Sequence, residues 1–150
     1  MTGLSLGTIA AVGLILTACS PGPSPLIIEG REVRTIELTM TDDMRFDPES
    51  AEVSQGETVR FFIRNVSSLV HEAYIGTAVE QELREQALAG LSADQRQETT
   101  HYGYGIRIVP LGNGEFVYHF AEAGEFIIGC HEPGHYPAGH RFTIQVRASS

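Results

Sequence analysis

Glu125-Phe126-Ile127-Ile128-Gly129-Cys130-His131-Glu132-Pro133-Gly134-His135-Tyr136-Pro137-Ala138-Gly139-His140-Arg141-Phe142-Thr143-Ile144-Gln145-Val146-Arg147 reads as strand, loop, strand. Phe142, Ile144 and Val146 alternate with polar neighbours, the period of a half-buried strand, and Glu125 to Gly129 is a second short run of strand formers. The loop between them places a thiol and two imidazoles, Cys130, His135 and His140, at C-x4-H-x4-H spacing. In a strand, side chains five apart point to opposite faces, but the Pro and Gly residues force turns that can gather them around one ion.

The alternation continues upstream. Ile36, Leu38 and Met40 alternate with Glu37 and Thr39; Val59, Phe61 and Ile63 alternate with Arg60 and Phe62; Phe116, Tyr118 and Phe120 alternate with Val117 and His119. Turn residues separate these runs at Asp47-Pro48, Ser54-Gln55-Gly56-Glu57, Gly112-Asn113-Gly114 and Ala123-Gly124. Short alternating strands at this spacing predict an all-β antiparallel sandwich or barrel. One segment differs: residues 77–91 carry Thr77 and Glu80 in capping-box spacing, with Val79, Leu83 and Ala87 on one face and Gly90 near the end. This predicts an inserted helix burying that apolar stripe. Ser92 to Thr100 is polar and reads as a short turn or a loop.

His71 is the candidate fourth ligand. It opens the run His71-Glu72-Ala73-Tyr74-Ile75, in which His71, Ala73 and Ile75 share the inward parity, so its ring can reach the mouth of a sandwich. His131-Glu132-Pro133-Gly134-His135 also matches the metalloprotease pattern H-E-x-x-H. That motif works only on a helix, and Pro133 and Gly134 oppose one. No haem-attachment C-x-x-C-H, phosphate-cradling glycine loop or G-x-S-x-G elbow is present. His119 reads as a solvated face, His101 as an exposed loop residue, and His131 as a candidate for the outer shell of the site or for a partner's approach. Glu72 reads either as orienting a ligand or as lying on the surface.

Taken together, the chain resembles the cupredoxins, small Greek-key β-sandwiches that hold type 1 copper. Met44-Arg45-Phe46-Asp47-Pro48, Val53, Gly56-Glu57, Val59-Arg60-Phe61 and His71-Glu72 are similar to the first half of the bacterial members, and Cys130-x4-His135-x4-His140 to their C-x4-H-x4-M loop. The resemblance implies His71, Cys130 and His135 as equatorial ligands and position 140 as axial. Here histidine stands where that family has methionine. A harder donor favours Cu(II) and four-coordinate geometry, and as the weakest ligand it should be the first that mild acid detaches. A Cys/His/His/His set also suits a closed tetrahedral zinc site. Ligands for one mononuclear copper exclude the multicopper enzymes, so a non-enzyme is expected. It is either a one-electron carrier with a redox partner protein or a copper sequestration or delivery protein with a copper donor or acceptor.

A chain of 150 residues bounds this to one compact domain. Its net charge is −9, and all ten basic residues are scattered arginines, which excludes nucleic acid as a partner. Leu4 to Ala18 is apolar and uncharged, too short for a comfortable bilayer span, and ends in Leu16-Thr17-Ala18-Cys19, which resembles a bacterial lipobox. Residues 1–19 are therefore read as a lipoprotein signal peptide with Cys19 lipidated, 20–29 as a Pro-rich stalk and 30–150 as the cupredoxin-like domain. The protein is expected to be exported and lipid-anchored, on the outer face of the cytoplasmic membrane or in the periplasm. With Cys19 consumed, Cys130 has no disulfide partner within the chain.

Overall fold

The computed structural model describes residues 22–92, 94–96 and 105–149. Strands β1 (Leu26–Ile28), β2 (Arg31–Met40), β3 (Phe46–Asp47), β4 (Ser50–Ser54), β5 (Thr58–Asn65) and β6 (His71–Gly76) precede helix α1 (Ala78–Leu88). Strands β7 (Gly105–Ile108), β8 (Asn113–His119), β9 (Gly124–Gly129) and β10 (Arg141–Arg147) follow it. They form a Greek-key sandwich of two five-stranded sheets, one ordered β1-β2-β5-β8 with β3 on β2, the other β4-β10-β9-β6-β7.

The alternating residues face each other across the layers. Leu38, Met40, Phe61, Ile63, Ile128, Phe142 and Ile144 are buried in a single core with Phe46 and Phe120. Removal of this apolar surface from water is the main force holding the sheets together. The pairing is not wholly antiparallel, as the alternation alone suggested: β2 runs parallel to β5, and β4 parallel to β10. After β2 the chain pairs β3 back onto it and crosses to the second sheet as β4. It then re-enters the first sheet as β5, pointing the same way as β2.

One boundary and one buried face differ from the sequence reading. Leu26–Ile28, inside the segment read as a stalk, pairs with Arg31 to Val33 across a two-residue turn, in which Glu29 and Gly30 both have positive φ (50° and 75°). Such a turn matches the twist of the strands it joins. The helix starts where expected, with Thr77 and Glu80 closing a reciprocal capping box, but the face it buries is another one. Val79 and Leu83 are 69% and 58% exposed, and Ala87 is exposed as well, whereas Gln81 and Leu88 are buried. The reason is hydrogen bonding. Gln81 and Arg84 satisfy polar groups on the neighbouring strands, and burial of those groups without partners would cost more than exposing a few apolar side chains.

Candidate metal centre

One end of the second sheet collects the donors. His71 is the first residue of β6, Cys130 follows the last residue of β9, and His140 precedes the first of β10. Pairing of Gly129 with both Tyr74 and Arg141 brings these three strand ends side by side. The loop between β9 and β10 is closed by its own backbone: Cys130 N–H donates to His140 O (3.1 Å), His140 N–H to His135 O (3.1 Å) and Ala138 N–H to Gly134 O (3.2 Å). Gly134 and Gly139 adopt φ of 83° and 97°, which side chains rarely tolerate, so the two glycines carry the turns that fold His135 back over Cys130.

The result brings together all four residues singled out in the sequence. One ligand atom from each of His71, Cys130, His135 and His140 lies within 4.8 Å of the others. His71 Nδ1 and His135 Nδ1 are 3.2 Å apart, and Cys130 Sγ is 3.6 Å from the first and 3.3 Å from the second. The tautomer of His71 is set from behind. Ser67 Oγ donates to Asn65 Oδ1 (2.8 Å) and so accepts from His71 Nε2–H (2.8 Å), which leaves the Nδ1 lone pair facing the centre.

His140 is fully buried against Phe46 and His71, with ring centroids 4.7 and 4.4 Å away, and neither ring nitrogen has a hydrogen-bond partner. Two orphaned buried nitrogens beside a thiol and two imidazoles fit a metal cation of borderline or soft character. Burial lowers the His140 pKa to about 3, aided by the neighbouring His71 and His135, and lowers that of His71 to about 4. His135 is lowered too, again by burial, but it is only half-buried. Of the three rings His135 is the one solvent reaches, while His71 and His140 are both 0% exposed. Burial also pushes the Cys130 thiol up to about 12, against the pull of the Glu72 backbone amide, which donates to Sγ at 3.3 Å. Without a cation nearby Cys130 is a thiol at neutral pH.

Around the donors lies a polar layer of which the sequence reading named His131 and Glu72 but missed Gln81, Arg84 and Glu85. His131 is 1% exposed, so it cannot meet a docking partner; it stacks on Tyr136 at 4.6 Å. Its Nδ1 faces Glu85 Oε2 (2.6 Å) and its Nε2 faces Gln81 Oε1 (2.7 Å), both on α1. Glu72 is buried in an ion pair with Arg84 of α1, and Glu132 pairs with Arg107 of β7 at 2.7 Å. The only signal in the sequence for the helix's part in this layer was the capping box that starts α1. Nothing local marks Gln81 or Glu85, because their partners lie about 50 residues away. His119 is exposed, as expected, and bonds Thr58 Oγ1 (3.0 Å). His101 lies outside the described residues.

No protein-family model matches the chain. The chain is 34% identical over 114 residues to the copper-resistant cuproprotein CopI of Rubrivivax gelatinosus, a match covering 76% of this chain and 67% of that protein. It is 31% identical over 144 residues to auracyanin-A of Chloroflexus aurantiacus, covering 88% of this chain and 89% of the relative. Among solved structures, dithionite-reduced auracyanin from Roseiflexus castenholzii superposes with a TM-score of 0.62 at 20% identity, over 75% of this chain and 96% of that one.

Proposed function

This chain belongs to the cupredoxin family represented by CopI and auracyanin, and on that premise we propose that it is an extracytoplasmic, membrane-tethered protein holding one copper ion for one-electron transfer. The observation that carries the proposal is the convergence of His71, Cys130, His135 and His140, with both nitrogens of His140 buried and unpaired. Bound copper would supply the one-electron couple. The protein's part is to hold a donor set that meets the full preference of neither oxidation state, so that little rearrangement accompanies the change. Ser67 and Asn65 hold the His71 ring in place, and the backbone bonds of the 130–140 loop hold Cys130 and His135. The strands end at the site, and the core behind it keeps bulk water out.

The second reading, sequestration or delivery of copper, is favoured by the copper-resistant relative and by a histidine at the axial place. The same donor set accepts zinc, so the metal is part of the test. The anchor reading rests on Leu16-Thr17-Ala18-Cys19 after an apolar run; among the described residues no helix is long and apolar enough to cross a membrane. One experiment decides the centre. Copper-loaded chain should show an intense thiolate-to-copper absorption band that Cys130→Ser removes. A strong visible band persisting in Cys130→Ser would place copper elsewhere. Fast electron self-exchange supports the carrier; slow exchange with very tight Cu(I) retention supports the binder.

A further inference from the structure

α1 lies beside the donor set and contributes no ligand, yet its buried face is polar. Gln81 is 0% exposed and makes contacts with three separate segments. Its Nε2 donates to Tyr74 O of β6 (3.1 Å) and Ile127 O of β9 (2.7 Å). With both amide hydrogens used, its Oε1 is left to meet His131 Nε2 (2.7 Å), one residue beyond Cys130. The same amide thus ties together the strand that begins with His71, the strand that delivers Cys130, and the first residue of the metal loop. Space has been cleared for it: a Cβ on Gly129 would lie 2.5 Å from Gln81 Oε1 and 2.8 Å from the Tyr136 ring. From one turn further along, Glu85 takes the other nitrogen of His131, and Arg96 donates to the His131 carbonyl (2.8 Å) while also holding Leu88 O at the end of α1 (2.6 Å).

We propose that α1 is a clamp on the thiolate arm of the metal centre, with Gln81 as the positioning residue that fixes the distance between His71 and Cys130. The inference rests on the copper-site reading above. Gln81 touches no donor atom; it acts through the two strands and through His131. Loss of the amide removes its bonds to Tyr74 O, Ile127 O and His131 Nε2 and leaves the Cys130 arm held by the β6–β9 pairing and its own backbone bond to His140, so it gains freedom.

The test compares the full chain with Gln81→Met, of similar length and without hydrogen bonds, and with Val53→Ala. Val53 lies in the core, paired with Val146 at the far end of β10 from the site, so Val53→Ala serves as a variant of lowered stability with an untouched clamp. Two measurements are made: the absorption band and Cu(I) release to bathocuproine disulfonate in copper-loaded protein, and amide hydrogen exchange at Cys130 and His131 in metal-free protein. Gln81→Met should shift the band, release Cu(I) roughly tenfold faster and lose protection at Cys130 and His131, whereas Val53→Ala should change none of these. Identical spectra, release and local exchange in Gln81→Met and wild type overturn the clamp, as does an equal change in both variants. If wild type gives no thiolate band, the copper reading fails by itself, and the metal-free exchange still decides whether Gln81 holds the loop.

Discussion

Replacing Gly129 by alanine tests how tightly the site is packed. The new methyl would sit 2.5 Å from Gln81 Oε1 and 2.8 and 2.9 Å from two atoms of the Tyr136 ring. Neither neighbour yields easily: the Gln81 amide is held by its bonds to Tyr74 O, Ile127 O and His131, and the Tyr136 ring is stacked on His131. Overpacking of this kind costs about 1–3 kcal/mol, and displacing the amide forfeits at least one buried hydrogen bond at about 1 kcal/mol. A loss of about 2–4 kcal/mol, with a urea slope of roughly 2 kcal/mol per molar, moves the midpoint down by about 1–2 M. Gly114→Ala is the internal control. Its methyl would also meet side chains, Cδ1 of half-buried Ile106 at 2.6 Å, which can rotate away, and Cγ1 and Cδ1 of buried Ile108 at 3.0 and 3.1 Å, which must give by only a few tenths of an ångström. Its midpoint should move by less than about 0.5 M, because a modest clash is offset by the lower entropy of the unfolded chain. Urea titration of the metal-free chains followed by circular dichroism gives both numbers. Equal midpoints for Gly129→Ala and wild type would show that the amide and ring beside Gly129 are loosely held, and the packing argument would fail.

His140→Met should stabilise the metal-free chain by about 1–3 kcal/mol, since it removes two buried nitrogens without partners, and should raise the reduction potential of the copper form; unchanged denaturation and voltammetry would remove His140 from the centre. The metal-free chain should lose stability on acidification. His71 and His140 bind protons near 6.5 when unfolded but only near about 4 and about 3 when folded, so their contribution is complete above pH 6.5 and falls below it. The limiting slope is about 1.4 kcal/mol per pH unit per ring, and denaturation midpoints flat from pH 7 to 4.5 would contradict the burial of these rings. Cys19→Ala should move the protein out of the membrane fraction or block its processing, and identical detergent partitioning of wild type and variant would end the lipoprotein proposal.

Period-two alternation made the strands and their inward residues legible in the sequence, because a side chain's face is decided by its neighbours two positions away. The loop from Cys130 to His140 was legible for the same reason: three donors, two prolines and two glycines lie within eleven residues. Only the tertiary structure could decide what depends on partners distant in the chain. The parallel pairing of β2 with β5 follows from a crossover between sheets that alternation does not encode. The helix shows the difference most plainly. Its capping box is local and was read correctly, but its buried face was misread, because a stripe of Val79, Leu83 and Ala87 outweighs Gln81 on hydrophobicity alone. What turned α1 over was the demand of Tyr74 O, Ile127 O and the His131 ring for hydrogen-bond partners, and that demand exists only once β6, β9 and the metal loop have been folded against one another.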